Sequence, residues 1–102
     1  MAAQEKDEAQ VPKDLADLVP EFLANRGKDL DVLASALARG DFDELLRVGH
    51  RMKGVGRPYG FAYIGALGRR IEELAQQRNH PAVASLIAEY RAYLGRVRVT
   101  YT

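Results

Sequence analysis

The stretch "RGDFDELL", Arg39–Leu46, decides how this chain folds. Gly40 has no Cβ and suits the left-handed residue that closes a helix. Asp41 can cap the next helix by accepting from a backbone N–H in its first turn, and Glu44 stands three residues later, where a capping box places its acid. Leu45 then opens a new apolar stripe. One helix stops and another starts within a few residues.

Reading outward, apolar residues recur at helical spacing on both sides. Upstream, Leu15, Leu18, Val19, Phe22 and Leu23 begin a stripe that Leu30, Leu33 and Leu37 continue. Pro20 lies inside it. Proline lacks the N–H and clashes with the preceding turn, so it opens the main helix rather than sitting within it. The spacing therefore predicts a short helical turn near 13–18 and a long helix to about Arg39. Downstream, a helix from Asp41 carries Phe42, Leu45, Met52, Val55 and Tyr59 on one side. Pro58 ends or kinks it, because Arg57 is biased away from the α region, and Gly60 lets the chain turn. Phe61, Ile64, Leu67, Ile71 and Leu74 mark a third helix, in which Gly65 and Gly68 permit close packing. "RNHPAV" breaks the chain, Pro81 suits a first helical turn, and Val83, Leu86, Ile87, Tyr90, Leu94 and Val97 form the last stripe. Nothing alternates with a strand period. The expected fold is all-α: an antiparallel up-down four-helix bundle with a short extra N-terminal helical segment, covering 11–102 behind a mobile tail, 1–10.

With 102 residues, the chain is one domain with a single modest core. It has no cysteine, which excludes disulfides and thiolate metal sites and fits a cytoplasmic protein. No apolar run approaches the roughly 18–20 residues of a membrane span, and the polar start lacks the apolar segment of a signal peptide. The net charge of +1 gives little global attraction to nucleic acid. Locally, Arg47, Arg51, Lys53, Arg57, Arg69 and Arg70 lie between Leu45 and Ile71 with no carboxylate among them. Such a patch is either a solvated basic face or a surface for an acidic or phosphorylated partner.

At about 100° per residue, His50, Lys53, Gly54 and Arg57 share one stripe of the second helix, roughly 140° from the centre of its apolar side. His50 is therefore expected outside the core. Gly54, costing roughly 1 kcal/mol relative to alanine in a helix, clears the surface one turn beyond it. Imidazole is a good nucleophile near neutral pH, since its ordinary pKa is about 6.5, and neighbouring cations can bind a phosphoryl group once attached. Nothing resembles a nucleotide-binding Gly-rich loop or a kinase signature. The residues thus suit a phosphoryl carrier without kinase activity of its own. A helical interaction module whose histidine is never phosphorylated is the alternative. Phe22 fits either the core or an apolar docking patch, Tyr59 and Phe61 either core anchors or rim contacts, and Arg69 and Arg70 a solvated face, or one of them an extension of the docking surface. His80, beside Pro81, reads as an exposed helix-start residue.

"HRMKGVGRPYG", 50–60, resembles the signature of histidine-containing phosphotransfer domains of bacterial phosphorelays at His50, Met52, Lys53, Gly54, Gly56 and Gly60. "LVPEFLANRGKDL", "LARGDF" and "YGFAYIGALGRRIEELA" carry the likeness over nearly the whole chain. The resemblance implies a monomeric four-helix bundle with an exposed phosphoacceptor, His50. It implies transfer from an aspartate on one receiver domain to another, the partners being receiver domains of a hybrid sensor kinase or of a response regulator. Nucleic acid and membrane are not expected partners. No cofactor is expected on this chain; Mg²⁺ would sit on the receiver. Lys53 would neutralise the phosphoryl charge, Gly54 and Gly56 would give access, and Arg51, Arg57 and Gly60 would complete the receiver-binding set. Arg57-Pro58 departs from the small residues common there.

Overall fold

The computed structural model describes residues 7–102. Four α-helices follow one another: α1 (Val19–Arg39), α2 (Phe42–Gly56), α3 (Ala62–Gln76) and α4 (His80–Arg96). A 3-10 segment, Lys13–Leu18, precedes α1 where the helical turn was expected, and Pro20 lies in the first turn of α1.

The turn between α1 and α2 closes as its sequence dictates. Gly40 adopts φ 67°, its N–H donates to Leu37 O at 3.1 Å, and the Asp41 N–H donates to Ala36 O at 2.8 Å. This pair of bonds satisfies carbonyls that a helix end leaves orphaned. Asp41 Oδ1 accepts from the Glu44 N–H at 3.1 Å and caps α2. The bond from the Glu44 amide holds the Asp41 carboxyl below its usual range. Asn79 caps α4 in the same manner, accepting from the Ala82 N–H at 3.2 Å. His80 is the first residue of that helix, and Pro81 follows it.

Helix α2 ends at Gly56, three residues short of Tyr59. Arg57 is nevertheless α-helical, with φ −64° and ψ −47°, against the bias that a following proline imposes. That bias is a steric preference, and two turn hydrogen bonds offset it: Gly60 N–H to Arg57 O at 2.9 Å and Phe61 N–H to Gly56 O at 2.8 Å.

The four helices form the expected all-α bundle, and one unexpected element, a pair of short strands, joins its ends. Glu8–Val11 (β1) and Arg98–Tyr101 (β2) pair in parallel, with Glu8 opposite Arg98 and Val11 opposite Tyr101. Ala9 and Val11 point into the core, and the Arg96–Asp7 and Arg98–Glu8 ion pairs flank the ladder. The expected tail, 1–10, thus ends in a strand, while its first six residues lie outside the described part. Four-residue strands are too short for alternation to stand out beside helical stripes.

Around α2, α1 packs on one side and α3 on the other, and α4 packs on the same two helices from the far side of the bundle. The α2–α3 interface is built on glycine. A Cβ on Gly49 would lie 2.8 Å from Gly68 O, and one on Gly56 would lie 2.4 Å from Gly65 N. Phe22 is buried, stacked on Tyr59 and Phe61 at ring-centre distances of 4.5 and 5.0 Å, which assigns it to the core.

Candidate functional site

Gly49 and Met52 turn inward toward α3 and the core. The helical repeat then throws His50 outward, and its side chain is 66% exposed. Lys53, Gly54 and Arg57 lie exposed on the same flank. Nothing comes within 4 Å of where a Gly54 Cβ would stand. Gly27 and Gly95 are equally open, so clearance alone marks no site; the neighbouring imidazole does.

The stretch around His50 holds no acid, yet the structure supplies one from α3. Glu72 Oε2 lies 2.8 Å from His50 Nδ1, and Glu72 Oε1 lies 2.8 Å from Lys53 Nζ. A carboxylate only accepts, so Nδ1 is the donor, and in the neutral ring Nε2 keeps its lone pair. The hydrogen bond from Lys53, and after it that from His50, holds the Glu72 carboxyl below its usual range against partial burial. Glu72 escaped the sequence reading because it lies on another helix, α3, one turn beyond Gly68. Only the close Gly49–Gly68 approach, which the glycines of both helices hint at, brings it to His50.

The remaining expected site residues divide. Arg51 turns to α1, where its Nη2 lies 2.7 Å from Asp29 Oδ1, and the same carboxylate meets Arg26 Nε at 2.8 Å. Gly56 is buried against α3 instead of opening the surface. Gly60 adopts φ 89° with Gln10 O only 2.3 Å from where a Cβ would be, so it shapes the turn beneath the site. Arg47 is occupied by Glu44. His80 begins α4, whose main packing is on α1 and α3.

On the α3 side of His50, Lys53, Arg57 and Arg69 rim an open groove of about 620 Å³ floored by Ala62, Gly65 and Ala66. On the α1 side, a smaller depression of about 210 Å³ includes Leu18, Phe22, Val55 and Tyr59. Among the described residues, no three acids, histidines or cysteines converge on one point that could hold a metal ion. No described helix is long and apolar enough to cross a membrane.

The site is thus an outward imidazole with a carboxylate against Nδ1, a cation beside it and clear space above. It has a nucleophile placed for group transfer. No curated protein and no solved structure matches the chain. The Hpt domain family model matches residues 17–100. The chain therefore belongs to the Hpt domain family, whose members work in histidine phosphotransfer within phosphorelays.

Proposed function

We propose that His50 is the phosphoacceptor of a phosphorelay intermediate, taking its phosphoryl group from a receiver-domain aspartate and passing it to another receiver. The observation that carries this reading is the Glu72 contact at 2.8 Å, in which the carboxylate accepts from Nδ1–H and leaves Nε2 as the outward nucleophile. In the accepting step, the Nε2 lone pair forms the N–P bond as the acyl-phosphate P–O bond breaks, and the aspartate leaves as a carboxylate. The proton stays on Nδ1, so the ring becomes cationic beside the Glu72 carboxylate. Donation reverses each change: the P–N electrons return to Nε2. Lys53 contributes charge where phosphoryl oxygens pass, an electrostatic role that needs no proton transfer.

The receiver brings Mg²⁺ and its acids, and this protein acts as a cytoplasmic monomer without kinase activity of its own. Incubation with a phosphorylated receiver and Mg²⁺ should attach an acid-labile phosphoryl group, read by intact mass. His50→Gln should stay helical and lose the label, and Lys53→Ala should slow transfer at least about ten-fold. ATP and Mg²⁺ alone should add nothing. A label that survives in His50→Gln, or that maps to His80, overturns the assignment.

A further inference from the structure

Of the six cations between Leu45 and Ile71, three are occupied. Arg47 pairs with Glu44, Arg51 with Asp29 and Lys53 with Glu72. Arg57 and Arg69 have no acidic partner among the described residues, and both rim the groove between α2 and α3. Lys53 closes the rim, and no carboxylate lines it. With a net charge of only +1, attraction to an acidic body is local to this groove. Clefts lined by one sign of charge focus the field within them.

The floor narrows the choice of occupant. Ala62, Gly65 and Ala66 offer no polar side chain, and the groove is open, so nothing encloses a small anion. Side chains from outside can instead descend between the arginines. Lys53 both rims the groove and, through Glu72, adjoins His50. A body that covers His50 therefore overlies the groove as well. The opposite flank differs in charge: its depression is lined by Glu21 as well as Arg26, beside Leu18, Val55 and Tyr59, so it is not of one sign.

We propose, building on the phosphotransfer reading of His50, that the Lys53–Arg57–Arg69 groove receives an acidic segment of the partner receiver domain and thereby selects among receivers. Carboxylates on the partner lie toward α3 and away from Glu21, on the α1 side. This fixes the rotation of the receiver about His50, and with it the line of approach of the aspartyl phosphate. Receivers lacking acids at that edge leave both arginines unpaired and dock slowly.

The test compares wild-type protein with Arg69→Glu, Arg69→Lys and an Arg57→Ser/Arg69→Ser double variant. Arg91→Glu, on the far helix α4, controls for net charge. Transfer is measured from a panel of purified, phosphorylated receiver domains at low and high ionic strength, and labelling by phosphoramidate is measured in parallel. With the receiver that wild type uses best, Arg69→Glu should lower kcat/KM about ten-fold or more at low salt, mainly through KM. Arg69→Lys should recover most of that loss, and the double variant should flatten the salt dependence. The preference among receivers should narrow in the same variants. Equal effects from Arg91→Glu, or unchanged transfer in both groove variants, overturn the proposal. It also fails if phosphoramidate labelling falls in step with receiver transfer, since Arg69 then acts on the chemistry and not on docking. Normal receiver transfer together with lost binding of a short single-stranded DNA would assign the groove to nucleic acid instead. Wild-type protein that phosphoramidate labels but no phosphorylated receiver does would overturn the phosphotransfer reading itself.

Discussion

Glu72 touches both His50 Nδ1 and Lys53 Nζ, so substitutions there separate orientation from charge. Glu72→Gln keeps an acceptor of similar reach, whereas Glu72→Ala removes it. In Glu72→Ala, ¹⁵N-detected spectra of the imidazole should show a mixture of tautomers where wild type shows the Nδ1–H form. Phosphoramidate labelling should slow about two- to ten-fold, the rate equivalent of a net hydrogen bond of about 0.5–1.5 kcal/mol; Glu72→Gln should lie between. A pure Nδ1–H tautomer in Glu72→Ala would show that the carboxylate does not set it. The charge has its own signature. Because the Glu72 carboxyl is held below its usual range by Lys53 and His50, its ionised form stabilises the fold above the unfolded-state pKa of roughly 4.3. That contribution fades as pH falls through the lower folded value. The stability gap between wild type and Glu72→Gln, from urea unfolding, should hold from neutral pH to about 5 and close in stronger acid. A gap that widens on acidification would refute this account.

Along α2, two kinds of glycine alternate, and alanine should tell them apart. At Gly49 a Cβ would meet Gly68 O at 2.8 Å and Glu72 N at 2.9 Å; at Gly68 it would meet Gly49 O and Met52 Cβ, both at 2.6 Å. Most of these neighbours are backbone and cannot swing aside. Gly49→Ala and Gly68→Ala should each cost about 1–3 kcal/mol, lowering Tm by several degrees per kcal/mol. They should also disturb the Glu72–His50 contact. Gly54→Ala meets open space and should gain up to about 1 kcal/mol from helix propensity. Gly54→Gln should block a receiver yet leave phosphoramidate labelling intact. A Gly54→Ala protein that melts earlier than wild type would make this glycine structural. These contrasts also show what the sequence could reveal. The helical stripes, the Gly40 stop and the Asp41 cap are local, and the structure bears them out. The outward place of His50 follows from the period of a single helix. Glu72 and the groove depend on the register between α2 and α3, which no single-helix pattern encodes. Gly56 and Gly60 sit at motif positions, yet they serve packing and the turn, because identity alone does not tell a clearance glycine from a packing one.

The strand pair links the two ends of the domain to the turn that follows α2. Gln10 of β1 lies against Gly60, whose φ of 89° and lack of a Cβ permit the approach. Gly60→Ala should therefore destabilise twice over, through left-handed strain and through contact with the Gln10 carbonyl. Val11→Asp, which places a charge at a fully buried site, should act at a distance. In the latter variant, hydrogen exchange at the Gly60 and Phe61 amides should accelerate ahead of global unfolding, while the middle of α2 stays protected. Simultaneous exchange throughout would mean that strands and bundle melt as one. The ladder also has a bearing on how the molecule is made. It joins residues 90 positions apart, 98 − 8, whereas α2 and α3 are neighbours joined by a short turn. Closing so long a loop carries a large entropic cost that only later contacts recover. Pulse-labelled exchange during refolding should thus protect the α2–α3 hairpin before the strand amides; strands protected first would exclude this sequence of events. On the ribosome the order is stricter still, since β2 is synthesised after all four helices. His50 can then stand on a formed helix while the Gly60 turn still lacks its support from Gln10, and the edge of the proposed docking surface near Arg57 is finished last.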